Sequence, residues 1–177
     1  MNDMKEKMIK YYMDVAYLTS DLSYAKKLKV GAILVKEDKI ISHSWNGTPR
    51  GWDNVCEYKL YMDADVGAWL DPEEIEKQWP YVEYSDLNPN ENIGRYQLKT
   101  KPYVTHAEEA MLMKIASSNE SSDGASLFCT HSCCLNCAKL IYGAKIKDFY
   151  YSEEYRSSAG IDFLFKSGIN VVKLEKN

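Results

Sequence analysis

Two short segments constrain this chain more than anything else in it. They are Thr105-His106-Ala107-Glu108-Glu109 and Thr130-His131-Ser132-Cys133-Cys134-Leu135-Asn136-Cys137. Together they offer one imidazole, two thiols at x-x spacing, and a carboxylate two residues after the histidine. A fold that uses them must bring His106 to Cys134 and Cys137. Three N/S ligands leave a fourth tetrahedral position open, which distinguishes a catalytic zinc from a closed structural one. The open position holds water whose pKa zinc lowers towards neutrality. Glu108 would carry that proton without ligating the metal.

Each half also has a plainer reading. Thr105-x-x-Glu108 satisfies the capping-box pattern, in which a threonine caps a helix and the glutamate reaches back to its backbone. Cys-x-x-Cys could be a redox pair or half of a structural zinc site, with Cys133, Cys129 or His131 as a fourth ligand. The two halves in this order, at a domain-scale separation, favour one catalytic zinc held by His106, Cys134 and Cys137. His-x-Glu followed by Cys-x-x-Cys is the signature of the zinc nucleobase deaminases.

Composition narrows the field. A chain of 177 residues, 45% hydrophobic and 27% charged, suits one globular domain over 1–177. No run reaches the roughly 18 apolar residues of a membrane span. Met1 to Lys10 is charged and lacks a signal peptide's apolar centre, so a cytoplasmic location is expected. Of five cysteines, four fall between 129 and 137, which fits reduced thiols serving a metal. The net charge of -4 and pI near 5.5 argue against a nucleic-acid partner, whose binding surface is usually basic.

Met4, Met8, Tyr11, Val15 and Leu18 recur at helical spacing and predict an opening amphipathic helix. Ser20 to Lys29 is polar loop. Val30 to Val35 is a continuous apolar run, as in a strand covered on both faces. A turn at Lys36 to Lys39 returns it as a second strand, Ile40 to Trp45, and Asn46 to Gly51 is a loop. Residues 53 to 104 then break the rhythm, with eleven Asp/Glu against five Lys/Arg. Tyr58, Tyr61, Trp69, Trp79, Tyr81, Tyr84, Tyr96 and Tyr103 make this stretch aromatic too. It reads as an insertion folded onto the main domain, its aromatics packed against that domain, with a helix starting at Asp71-Pro72. Beyond it, helices are expected over 106–117, 134–143 and 156–165, the first carrying Met111, Leu112 and Ile115 inward and the last Ile161, Leu164 and Phe165. Strands are expected at 126–130, 147–151 and 169–174. Two strands followed by α-β-α-β-α-β predict an α/β fold, a three-layer α/β/α sandwich around a mixed sheet of about five strands. Both ligand groups fall at helix N-termini, where the dipole favours thiolates.

The chain resembles deoxycytidylate (dCMP) deaminases, especially the bacteriophage type, within the cytidine deaminase-like fold. The resemblance rests on Ala16 to Ser20, Lys29-Val30-Gly31-Ala32, Ile40-Ile41-Ser42 and Asn46-Gly47-Thr48-Pro49-x-Gly51. It continues through His106-Ala107-Glu108, Thr130-x-Ser132, Cys134-x-x-Cys137-Ala138-Lys139 and Glu154-Tyr155. It implies zinc-dependent hydrolysis of dCMP to dUMP and ammonia, supplying dUMP for thymidylate synthesis. It implies that Asn46 contacts the deoxyribose, the N–H of Ala107 faces the pyrimidine carbonyl, and the carbonyl of Ser132 receives the departing amine. Ser23 and Tyr155 match positions that help hold the phosphate. It also implies a homo-oligomer (hexamer or trimer) with dCTP and dTTP as effectors, and Mg²⁺ accompanying the bound triphosphate.

The chain departs from that pattern at four places. Cys133 stands where a proline normally precedes the first zinc cysteine. Ala110 replaces an asparagine and Ser117 an arginine of some phage relatives, so dTTP inhibition is expected to be weak. Cys56 is the only Cys or His in the insertion, so one zinc is expected. Alternatives from the residues alone are a deaminase of dCTP, CMP or an RNA base, or a non-catalytic zinc-stabilised module. Asn46 could be a turn residue bonded to its own loop, Tyr155 could be packing, and Arg50 an exposed cation beside the pocket.

Overall fold

The computed structural model describes residues 4–63, 69–83 and 94–175. Its centre is a five-stranded mixed sheet in the order β2-β1-β6-β7-β8. Strands β1 (Gly31–Lys36) and β2 (Lys39–Trp45) form a hairpin whose Glu37 and Asp38 take positive φ, as a two-residue turn matching strand twist requires. β6 (Ser126–His131) joins β1 antiparallel, while β7 (Asp148–Glu153) and β8 (Asn170–Lys173) continue in parallel.

Alternation along the strands sorts the core into two layers. Ile33, Val35, Phe128 and Tyr150 face helix α1 (Glu6–Ser20), meeting Tyr12, Met13 and Ala16. Leu34, Leu127, Cys129 and Phe149 face the other way, against Met111, Ile141 and Leu164. Those come from α3 (Ala107–Ala116), α4 (Leu135–Gly143) and α5 (Ala159–Lys166). Ala32 to Val35 are at most 1% exposed, which is why this strand reads as unbroken apolar sequence. The chain is thus an α/β/α sandwich. Among the described residues no helix is long and apolar enough to cross a membrane.

Two helical faces differ from expectation. In α1, Tyr11 and Leu18 are exposed, and the inward stripe is Tyr12, Met13, Ala16, Thr19 and Ser20. The cause is the close approach of α1 to β1: a Cβ on Gly31 would lie 2.1 Å from the Ala16 carbonyl oxygen. Small residues, Ala16 and Ser20, must therefore face the sheet where α1 crosses Gly31. In α5, Phe165 is exposed while Ile161 and Phe163 flank the buried Leu164. That helix begins at Ala159 rather than Arg156, since residues 154–158 form a loop after β7.

The insertion folds as a second sheet, β3 (Glu57–Tyr61), β5 (Arg95–Thr100) and β4 (Tyr81–Val82), with a short helix α2 (Pro72–Gln78). Pro72 takes the first helical position. Among the described residues only part of the aromatics pack against the main domain as expected: Tyr103 meets Trp52 of the preceding loop at 4.9 Å, whereas others pair within the insertion. Tyr81 stacks on Tyr96 at 5.4 Å, Tyr96 meets Tyr61 at 5.6 Å, and Trp69 is 88% exposed. Aligned cross-strand neighbours satisfy them within their own sheet. Tyr84 lies outside the described residues. The insertion is tied to the main domain through Cys56, packed with Ala25 and Val104, and through Glu57, whose carboxylate accepts the N–H groups of Lys26 and Lys27.

Candidate active site

Strand β6 ends at His131, and the chain turns through Ser132 and Cys133 into α4, with Cys134 as its N-cap. His106 is the N-cap of α3. The two helix N-termini converge where β6 ends, the end of an α/β sheet at which ligands bind. Cys134 Sγ lies 3.6 Å and Cys137 Sγ 3.4 Å from His106 Nδ1. The three ligand atoms lie within 4.8 Å of one another. Tetrahedral zinc bonds to sulfur and nitrogen separate such ligands by about 3.6 Å, so the set fits zinc.

Electrostatics support the same fit. The Cys134 thiol is pulled down to about 3 by hydrogen bonds from the Cys137 thiol and from His106, and it accepts the N–H of Cys137. The Cys137 thiol is pushed up because it shares its proton with Cys134 and is buried. His106 is raised by the same Cys134 contact. The helix N-terminus and these hydrogen bonds favour a thiolate at Cys134, and a cation can replace the remaining protons. Cys133 and Cys129 lie instead in the apolar core, with burial raising both thiols. His131 Nδ1 meets Thr130 Oγ1 at 3.0 Å. None of the three joins the ligand cluster among the described residues.

Glu108 is 4% exposed, in the first turn of α3. Burial pushes its carboxyl up to about 7. Capping falls to Glu109 instead, whose Oε2 accepts the N–H of His106 at 3.3 Å. The capping box therefore sits one residue later than Thr105-x-x-Glu108. Ala107 is fully buried beside it.

Several of the nucleotide-contact candidates have polar atoms already engaged. Asn46 Oδ1 accepts the N–H of Val30 and its Nδ2 donates to the Leu28 carbonyl, both at 2.8 Å. Ser23 is buried and donates to the Asn46 carbonyl at 2.8 Å. Gly47 and Thr105 exchange backbone hydrogen bonds, laying the 46–51 loop beside His106. Ser132 Oγ accepts the N–H of Tyr155 at 2.7 Å, fixing the loop after β7. Two contributors escaped sequence reasoning. Glu109 was hidden because histidine is an unusual N-cap. Gly160 lets α5 approach the zinc loop, since a Cβ there would lie 2.1 Å from the Cys133 carbonyl oxygen.

The sequence pattern described as the cytidine and deoxycytidylate deaminase zinc-binding region matches residues 6–153. The chain belongs to the cytidine and deoxycytidylate deaminase family. Deoxycytidylate deaminase of Enterobacteria phage T4 is 30% identical over 174 residues, spanning 93% of this chain and 88% of that protein. ComE operon protein 2 of Bacillus subtilis is 26% identical over 166 residues, spanning 93% of this chain and 70% of its own length. Among solved structures, dCMP deaminase from the cyanophage S-TIM5, in complex with dCMP and dUMP, superposes with a TM-score of 0.73 at 39% identity. That match covers 97% of this chain and 100% of the cyanophage chain. Membership makes this chain an enzyme, a hydrolytic deaminase.

Proposed function

We propose that the enzyme deaminates dCMP to dUMP and ammonia, supplying dUMP for thymidylate synthesis. The observation that carries this reading is the buried Glu108 carboxyl beside a His106–Cys134–Cys137 set with zinc spacing. It is supported by the likeness to the cyanophage enzyme, whose complex holds dCMP and dUMP. Zinc held by the three ligands would supply a Lewis acid that lowers the pKa of water. Glu108 takes a proton from the attacking water, whose oxygen adds to the ring carbon bearing the amine, and delivers it to the adjacent ring nitrogen. A second proton, from the added hydroxyl, passes through the same carboxylate to the amine as the C–N bond breaks. A carboxyl near 7 can accept and release protons at neutral pH.

The remaining roles follow the same reading. The N–H of Ala107 faces the pyrimidine carbonyl, and the carbonyl of Ser132 receives the amine. The Asn46 amide keeps one N–H and one lone pair for the deoxyribose. Tyr155 borders the phosphate, whereas Ser23 reaches it only by turning its hydroxyl from Asn46. Ammonia release from dC, dCMP, dCTP and CMP tests the proposal. A preference for dCMP is expected, and turnover of none, or preference for another, would reject it.

We also propose a homo-oligomer activated by dCTP with Mg²⁺, with dTTP inhibition weak or missing. Ser117 closes the ten-residue α3 at the end away from His106, its hydroxyl bonded to the Met113 and Lys114 carbonyls. That is about 15 Å along the helix, so Ser117 offers its own site no side chain to distinguish a triphosphate. Turnover of dCMP against each triphosphate, with mass measured in parallel, checks this. A monomer indifferent to dCTP, or strong dTTP inhibition, would contradict it.

A further inference from the structure

The strand registers send several loops to one end of the sheet. Gly31 pairs with Trp45, His131 with Glu153, and Ala32 with Cys129. The loop before β1, the loop after β2, the zinc loop after β6 and the loop after β7 therefore share an edge. They carry Lys26, Lys27, Lys29, Arg50 and Arg156. None of these five takes part in an ion pair among the described residues. Four carboxylates at the same end are already engaged. Asp53 meets Lys101 at 3.8 Å, Glu154 meets Lys173, Glu57 holds two backbone N–H groups, and Glu109 holds His106. In a chain of net charge -4, unpaired cations at one end form a local field for an anion.

Arg156 differs from the other four in how it is mounted. Its guanidinium lies 5.3 Å over the Tyr155 ring. Tyr155 in turn is fixed through its N–H to Ser132 Oγ at 2.7 Å, two residues before Cys134. Stacking leaves the guanidinium edge, with its planar fork of N–H donors, free for phosphate oxygens. Ser23 is only 3% exposed and has given its hydroxyl proton to Asn46.

We infer that Arg156, held against Tyr155, is the side chain that binds the phosphate of the nucleotide, with the lysines and Arg50 of the facing loops supplying only a diffuse field. The inference rests on the dCMP reading above and names the group that separates the nucleotide from its nucleoside. It is tested with deoxycytidine and dCMP on wild type, Arg156→Gln, Arg156→Lys and Arg50→Gln, with zinc content measured for each. Arg156→Gln is expected to lower kcat/KM for dCMP roughly tenfold to hundredfold, as for loss of a hydrogen bond to a charged group, mainly through KM. Deoxycytidine turnover and zinc content stay unchanged, and Arg156→Lys recovers part of the loss. Titration of dUMP against deoxyuridine gives the same comparison without turnover. An equal loss on both substrates, no loss, or a larger loss in Arg50→Gln would overturn the assignment. A wild type that does not prefer dCMP would instead defeat the dCMP reading.

Discussion

The carboxylate of Glu109 accepts the backbone N–H of His106 at 3.3 Å, so the cap of α3 and the histidine proposed as zinc ligand are one residue. Cap and ligand geometry are thereby coupled. Glu109→Ala should cost about 1 kcal/mol, a fall in Tm of roughly 2–4 °C for a chain of this size. It should also weaken zinc binding, with Glu109→Gln restoring both. A competitive chelator titration checks this; unchanged affinity would uncouple the cap from the ligand.

Gly160 makes a sharper steric prediction. Its missing Cβ is what admits the Cys133 carbonyl, so Gly160→Ala must move the zinc loop or α5. The expected cost is about 1–3 kcal/mol, measured by thermal denaturation, with weaker zinc retention. Gly143, also helical, has nothing within 4 Å of its virtual Cβ. Gly143→Ala should therefore leave both unchanged or slightly raise stability.

Asn46 clamps residues 28 and 30 with its side chain. Asn46→Ala should remove two hydrogen bonds, lowering stability by about 1–3 kcal/mol, and reduce the preference for dCMP over CMP. Kinetics unchanged on both substrates would show that the amide serves the loop alone.

A pH dependence follows from His43. Partial desolvation and the nearby Lys114, whose Nζ donates to the His43 carbonyl at 2.7 Å, lower the pKa of this largely exposed side chain. A group depressed in the folded state destabilises it once the unfolded histidine protonates. The penalty starts near 6.5 and is complete below the folded pKa. Wild-type Tm should thus fall further than that of His43→Gln between pH 7.5 and 5.5. Parallel curves would reject the contribution.

The clustering of His106, Cys134 and Cys137, the order of the main elements and the doubly covered strand β1 were legible because spacing and periodicity encode them directly. The inward face of α1 was legible only in part, since Met4, Met8 and Val15 pack against the core while Tyr11 and Leu18 are exposed. Its apolar spacing through Tyr11 and Leu18 is regular, yet contact with Gly31 selects the small residues Ala16 and Ser20 instead. The insertion's sheet was equally hidden, since β4 has two residues and its aromatics pair across strands rather than repeating along one. The cap at Glu109 was misplaced by one position because Thr105 offered the more usual N-cap. In the first two cases a tertiary contact overrode a sound local signal, while at α3 one local cap replaced another.

Proton transfer by a Glu108 that does not ligate the metal is the centre of this account. The most direct test is ammonia release from dCMP by zinc-loaded Glu108→Ala beside wild type, with zinc per chain determined on the same samples. Equal zinc, one per chain, with turnover reduced by at least about 10²–10⁴-fold in the variant is the predicted result. Loss of zinc from Glu108→Ala, or turnover that survives the substitution, would contradict it.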